Sequence, residues 1–479
     1  MSAVDTLRAE YELAIVGAGP AGMAAATAAS ARGISTVLFD EQAAPGGQIY
    51  RAVTTTPLQR REILGDDYWH GRTLADALLA STAAYSPRSM VWAATRIENG
   101  FELAVSRAGR AQLVRAAHLI VATGAEERPF PIPGWTLPGV MTAGAAQILL
   151  KTAGVVPGSG TVVAGSGPLL YLVLAQFAAA GASVDAVLDT TPPGRFRAAW
   201  RDAAGFATSP YLGKGLALLR RARAAGRVVR GVESLEAIGD GCVERVRYRV
   251  GGTTHEIACS SLLLHQGVVP NINFANAIGC AQHWDDAQAC FVPSVDAWGT
   301  SSVAGVTLAG DGAGIAGARA AEAHGTIAAL NAACALGRID RAQRDAAGTQ
   351  AQAERSRWLR GRRFLDLAYR PSPQFRVPSG TTLVCRCEEV TAQQVIDSVR
   401  LGCTGPNQMK SFLRCGMGPC QGRMCGLTVS ELIAQERRST PEEIGHYRLR
   451  FPIKPVTLGE LASLPQTEAS EQAVVRLPR

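Results

Sequence analysis

The chain is poor in aromatic residues and in charge: Phe, Trp and Tyr make up 6% of its 479 residues, and Asp, Glu, Lys and Arg 18%. Scarce aromatics argue against an RNA-binding module that stacks bases and against an aromatic-rich sandwich. Scarce charge, with 47% hydrophobic residues, argues against disorder. Met1 to Glu12 mixes charges of both signs without a basic-then-apolar order, so secretion is not expected. A membrane span is not expected either. The 33 residues from Thr152 to Val184 carry no charge, but Pro157, Gly158, Gly160, Gly165 and Gly167 break them into a turn, a short strand and another turn ahead of a helix. The seven histidines, from His70 to His446, form no evident acid–base pair, and His324 reads as a capped or solvent-facing helix residue.

What is present is length and small residues. A chain of this size with 51 glycines exceeds one ordinary core and suits two or three tightly packed α/β units. The formal charge of +8 is local: Arg338 to Gly380 holds ten arginines against four acids, and the rest is nearly neutral. No apolar face or aromatic interleaving accompanies these arginines, so the stretch reads as a solvated connecting segment and not as a nucleic-acid or membrane patch.

Leu13 to Val16 is a short apolar strand that runs into Gly17-Ala18-Gly19-Pro20-Ala21-Gly22, followed by an Ala-rich helix to about Arg32. Strand, GxGxxG and helix in that order form a dinucleotide-binding unit: the first glycine permits the turn, the second admits a pyrophosphate, and the third lets helix pack on strand. The helix N-terminus offers free N–H groups to the phosphates. Gly33 ends the helix, Ile34 to Phe39 forms the next strand, and Asp40, 23 residues after Gly17, stands where an acid accepts ribose hydroxyls, with Glu41 as the alternative anchor. This opening resembles that of the flavin disulfide-reductase superfamily, which implies FAD. In that resemblance Gly46-Gly47-Gln48 lies close to the isoalloxazine ring, and Ala122-Thr123-Gly124 marks the return into the FAD domain. Gly310-Asp311-Gly312-Ala313-Gly314 is then the second flavin motif, with Asp311 on the ribitol or pyrophosphate edge and a helix from about Gly317 to Ala335 aimed at the flavin.

The first motif repeats 148 residues on, as Gly165-Ser166-Gly167-Pro168-Leu169-Leu170, with Asp189 closing the next strand. Leu170 stands where the third glycine belongs, which separates helix from strand. The repeat implies two Rossmann-like units, the second inserted into the first. Whether this second unit takes NAD(P)H through Gly165 and Gly167, or is a vestigial or differently used nucleotide site, stays open; no Arg stands next to Asp189 to favour a 2′-phosphate. No Cys-x-x-Cys separates the two units, so the dithiol a thioredoxin reductase needs is absent.

Of eleven cysteines, six fall between Cys385 and Cys425. Cys385-Arg386-Cys387 and Cys415-Gly416-Met417-Gly418-Pro419-Cys420-Gln421-Gly422-Arg423-Met424-Cys425 flank a helix opened by a Thr391/Gln394 capping box and closed by Gly402. Four thiolates suit a [2Fe–2S] cluster or Zn, and the absence of His at ligand spacing excludes a Rieske centre. Cys415/Cys420 and Cys420/Cys425 share one spacing, so Cys415 and Cys425 compete as a ligand; Cys403 and Cys415 otherwise read as small buried side chains. The segment resembles the bacterioferritin-associated-ferredoxin-like [2Fe–2S] domain, which implies Cys385, Cys387, Cys420 and Cys425 as ligands.

The whole order of motifs, with Gly46 to Arg51 and the tail from Thr440 through Tyr447 to Val456, is similar to the large FAD/[2Fe–2S] subunits of opine oxidases, hydrogen cyanide synthase and bacterial hydroxyproline and proline dehydrogenases. That resemblance implies an electron-transferring, cytoplasmic subunit of a heteromeric amine or imino-acid dehydrogenase. Its partners would be a second, substrate-oxidising flavoprotein subunit, often with a small [2Fe–2S] chain, and in some settings the assembly would be peripheral at the inner membrane. The alternative is an NAD(P)H-dependent reductase feeding a partner through the cluster. The expected layout is α/β: a split FAD domain at 1–155 and 266–337, an inserted NAD(P)-binding-like domain at 156–265, a basic connection at 338–380, a small α-helical cluster domain at 381–437, and a tail at 438–479 kept extended by Pro452 and Pro455.

Overall fold

The apolar run at Glu10–Val16 lies inside a seven-stranded sheet, parallel to Thr36–Phe39 on one side and to the end of Arg110–Val121 on the other. The computed structural model describes residues 7–222 and 226–465. Ala84–Ser86 extends the parallel part, while Gly100–Arg107 and Ser89–Ile97 form an antiparallel meander on the first half of Arg110–Val121. Val306–Leu308 returns from far along the chain to pair with Leu119–Val121, so one sheet is built from two separated stretches of sequence.

The intervening stretch forms a second, five-stranded parallel sheet in the order Arg227–Arg230, Ala186–Asp189, Thr161–Ser166, Ser261–Gln266, Val140–Thr142. A three-stranded antiparallel sheet, Val232–Ile238, Arg245–Val250 and Thr253–Ala258, packs with it over Val162, Leu188, Leu235 and Val246. Because Val140–Thr142 already pairs with Leu262–Leu264, the chain crosses between sheets earlier than residue 155. The crossing segments are Ala125–Glu127 and Val268–Pro270, which pair with each other as a two-stranded antiparallel connection.

Small residues set the spacing of the first unit. Helix Pro20–Ser30 and helix Ala318–Ala335 approach so closely that a Cβ on Gly325 would overlap the carbonyl of Ala21. Their alanines, Ala21, Ala25, Ala328 and Ala332 among them, are buried against each other. The run from Thr152 onward is a turn, the wholly buried strand Thr161–Ser166 and helix Pro168–Ala179. Among the described residues no helix is long and apolar enough to cross a membrane.

The arginine-rich stretch differs from a solvated connection. It folds into helices Arg341–Leu359 and Arg362–Ala368, which bury Trp358, Phe364 and Ala368. Phe364 stacks on Phe206 of the second unit, with ring centroids 4.4 Å apart. Seven of the ten arginines reach a carboxylate, among them Arg362 on Asp366 at 2.6 Å and Arg376 on the buried Glu431. The local charge is therefore spent on internal pairs.

Leu383–Cys385 and Val390–Thr391 then form a small hairpin leading into helices Ala392–Arg400, Pro406–Leu413 and Gly426–Arg437. The Thr391/Gln394 capping box is present, and Gly402 turns with φ +107°. The tail is extended between two short helices, Pro441–Ile444 and Leu458–Ala462; its last residues, 466–479, lie outside the described residues.

Candidate functional site

The loop at 17–22 is shaped by contacts that only glycine permits. A Cβ on Gly17, where φ is +104°, would overlap the carbonyl oxygen of Ala122, and one on Gly22 would overlap that of Gly17. Gly19 faces Gly47: a Cβ on Gly47 would stand 2.8 Å from the Gly19 Cα. Gly46 N donates to Ala18 O at 2.8 Å, so the two glycine loops form a single backbone cradle. Pro20 begins the helix and Gly19 caps it without a side chain, leaving first-turn N–H groups open to an anion. A cradle that a Cβ would fill, at an uncapped helix N-terminus, fits a pyrophosphate.

Asp40 braces this cradle. Its carboxylate accepts from Ala18 N and from Gln42 N, both at 2.6 Å, one bond on each oxygen. Burial pushes its pKa up, against the pull of these N–H donors and of Arg51. Each oxygen keeps acceptor capacity for a second bond, and Asp40 lines the cavity. Glu41 is held differently, paired with Lys454 of the tail at 2.9 Å. Opposite, Ala122-Thr123-Gly124 ends its strand, and Asp311 Oδ1 accepts from Ala316 N and Gly317 N at 2.8 Å, closing the turn that follows Gly310. His324 is neither capped nor solvent-facing. It is buried, its Nδ1 accepts from Gly310 N at 3.2 Å, and burial holds it neutral with a pKa down to about 3.

Lys151, which the sequence did not flag, enters from helix Ala143–Ala153. It is 1% exposed and donates to Ile49 O and Gln147 Oε1 at 2.9 Å and to Gln48 O at 3.2 Å. Burial, with Arg51 nearby, brings its pKa down to about 7. Gln147 is held by Gln176, which in turn donates to Leu64 O. The Gln48 loop is thereby tied to both nucleotide-type units. No local pattern announces a lysine of this kind.

The second glycine loop is built on the same plan but closed differently. Gly165 and Gly167 have φ +144° and +109° and back onto His265, whose Nδ1 lies 2.6 Å from Glu127 Oε1. Leu170 is fully buried in the core with Val163 and Leu263. Asp189 is taken: Tyr171 donates to its Oδ2 at 2.7 Å and Thr191 N to its Oδ1 at 2.9 Å. The sequence places no arginine beside Asp189, yet strand pairing sets Arg230 directly opposite it.

Both loops open on one continuous cavity of about 2270 Å³, which also reaches Pro419, Cys420 and Arg423 of the cysteine-rich segment and Lys454 of the tail. A single small-molecule site is about 300–1,000 Å³. In the passage between loop and cysteines, Glu126 meets Arg423 Nε at 3.4 Å, and burial pushes the Glu126 carboxyl up to about 8 against the pull of Arg423 and Lys454.

The cysteines fall into two groups. The sulfurs of Cys385, Cys415 and Cys425 lie within 4.8 Å of one another, all buried. Cys387 is exposed and interacts with Cys420 beside Gly418. Cys415 is thus not a lone filler like Cys403, whose thiol turns to Gly405 O; it adjoins the first pair. Hydrogen bonds from the Cys415 and Cys425 thiols, and N–H groups of Gly416 and Glu388, pull the Cys385 pKa down against the effect of burial. The same proximity pushes Cys415 up to about 12 and Cys425 up as well. Two thiol pairs, Cys385/Cys425 and Cys387/Cys420, suit the two irons of a [2Fe–2S] centre, and the thiolate-forming donor set fits such a group.

Two parallel nucleotide-type units sharing a cavity with a thiol cluster define an oxidoreductase of the flavoprotein class. Residues 11–325 match the pyridine nucleotide-disulphide oxidoreductase family and residues 379–464 the sarcosine oxidase A3 domain. The chain is 47% identical to the opine oxidase A subunit of Agrobacterium tumefaciens (strain Ach5), covering 97% of this chain and 94% of that protein. It is 32% identical to the HcnB subunit of hydrogen cyanide synthase from Pseudomonas aeruginosa, covering 94% and 98%. The L-proline dehydrogenase structure from P. horikoshii shares the fold, with a TM-score of 0.68 at 18% identity over 94% of this chain and 79% of that one. The chain belongs to the family of opine oxidase A subunits.

Proposed function

We propose that this chain is the FAD- and [2Fe–2S]-bearing electron-transfer subunit of a heteromeric dehydrogenase or oxidase that acts on an opine or a related amino or imino acid. It receives electrons from a second flavoprotein chain and passes them to an acceptor. The observation that carries the reading is the single cavity joining the Gly17–Gly22 cradle to Cys420. In this reading the cradle, Gly47 and Asp40 hold FAD, with Gln48, Thr123 and Asp311 around it. Cys385, Cys387, Cys420 and Cys425 hold the cluster, with Cys415 in reserve against Cys425. A bound flavin accepts electrons in pairs and a [2Fe–2S] cluster carries one at a time, so a chain holding both converts between the two. The relatives are named as subunits, which supports a partner chain, and a small extra [2Fe–2S] chain is compatible with it. Eleven cysteines, all free thiols, suit the reducing cytoplasm.

A second reading, an NAD(P)H-dependent reductase, draws on the Gly165–Gly167 loop, which opens on the same cavity. Asp189 counts against it: Tyr171 and Thr191 N engage its two oxygens and, unlike Asp40, it does not line the cavity. Anaerobic titration of the purified chain with NADH separates the readings. Electron entry from a partner predicts that NADH leaves the visible bands unbleached while dithionite bleaches them; stoichiometric bleaching by NADH would replace the first reading with the second. Iron and acid-labile sulfide analysis of Cys385→Ser is expected to show cluster loss with flavin retained, and unchanged iron and sulfide would sink the ligand assignment.

A further inference from the structure

Tyr447 comes from the tail but sits inside the cysteine-rich unit. It is fully buried, and its ring fills the space left by three glycines of the cysteine loop: a Cβ on Gly416, Gly422 or Gly426 would stand 2.5, 2.6 or 3.1 Å from ring atoms. Among the described residues its buried hydroxyl has no nitrogen or oxygen partner, and the groups it interacts with are the thiols of Cys415 and Cys425. The backbone on either side is fixed. Asn276 donates to Tyr447 O and accepts from Leu449 N, both at 3.0 Å, and Asn407 accepts from Arg448 N at 2.7 Å. Lys410 lies 5.1 Å from the ring centroid and donates to Arg448 O at 2.9 Å.

A buried hydroxyl without a partner costs roughly 1–3 kcal/mol unless something accepts its proton. Here the groups it interacts with are sulfurs. We propose that Tyr447 is a positioning residue for the cluster, donating its O–H to sulfur on the Cys415/Cys425 side and so raising the reduction potential of the group held there; this rests on the iron–sulfur reading above. The physical reason is charge. Reduction adds one electron to a centre already anionic through its thiolates, and a donor to sulfur stabilises the more negative state. The substitution Tyr447→Phe would keep the packing among the three glycines and remove only the hydroxyl.

The test is a redox titration of the full-length holoprotein and of Tyr447→Phe, following the reduced cluster by electron paramagnetic resonance and the flavin by its visible band. Iron and sulfide content comes first: a wild-type chain lacking both overturns the cluster reading and the inference together. With the cluster present, Tyr447→Phe is expected to load it fully, move its midpoint to more negative potential and leave the flavin midpoint in place. An unmoved cluster midpoint overturns the inference and leaves the cluster reading standing. Should Tyr447→Phe fail to retain the cluster, wild-type protein grown on ring-fluorinated tyrosine, whose hydroxyl is a stronger donor, is expected to shift the midpoint upward; no shift overturns the inference.

Discussion

Lys151 shows what one side chain contributes. Its ammonium satisfies three acceptors, two of them carbonyls of the Gln48–Ile49 segment beside the glycine cradle. Lys151→Met keeps the length and apolar stem but strands those acceptors, at about 1–3 kcal/mol for each one left unsatisfied. The expected outcome is a melting temperature lower by several degrees and faster loss of bound flavin on dilution, read by differential scanning calorimetry and flavin fluorescence. Asp40 works by similar means. Because it braces Ala18 and Gln42, Asp40→Ala should weaken flavin retention by disordering the loop, whichever of Asp40 and Glu41 meets the ribose.

At the level of elements, closeness of backbones is the recurring device. Two helices rich in alanine meet along Gly325, and two glycine loops meet at Gly19 and Gly47, where a methyl group has nowhere to go. Gly47→Ala places a Cβ 2.8 Å from the Gly19 Cα, at a φ of +60° that disfavours any side chain. Flavin content after purification is expected to fall at least tenfold. Circular dichroism of the variant should remain that of the folded chain, since Gly47 lies outside the helices and strands. The helices at 341–368 matter in another way. They convert an arginine-rich stretch into a brace between the first and second units, through Trp298 under Arg344 at 4.0 Å and Phe364 on Phe206.

Across the whole molecule, the tail ties the distant sites. It leaves the cysteine-rich unit at Tyr447, packs Phe451 against Phe274, donates Ile453 N to Trp92 O and ends its extended run at Lys454 on Glu41 beside the cradle. Desolvation holds the pKa values of three histidines, the buried His118 and His324 and the half-buried His446, down to about 4, 3 and 4. Unfolded histidine takes up its proton near pH 6.5, so between that pH and about 4 the unfolded chain binds more protons and stability falls as pH falls. Glu126, pushed up to about 8, acts in the opposite sense between its unfolded value near 4.5 and 8, offsetting about one of the three protons. Urea midpoints should therefore change little near pH 7 and decline from about pH 6.5 down to pH 4.5, where unfolding takes up about two protons from this set.

The glycine loops, the strands and helices that flank them and the cysteine-rich segment were legible in the sequence, because each is a local demand. A turn at positive φ, an uncapped helix start or a capping box is written in a few adjacent residues. Contacts between residues far apart in the chain were not legible. Tertiary packing alone set Tyr171 on Asp189, Arg230 opposite it, Lys151 under the Gln48 loop, Cys415 among the buried thiols and Tyr447 against the glycines of the cysteine loop. The arginine-rich stretch looked like a solvated connection for the same reason, since its charges find partners such as Glu12, Asp202 and Glu431 only once the chain is folded. Sequence by itself determined which backbones could meet, through the positions of glycine and alanine. The fold decided which side chains then faced one another, because that depends on how the helices and sheets pack and not on any spacing along the chain.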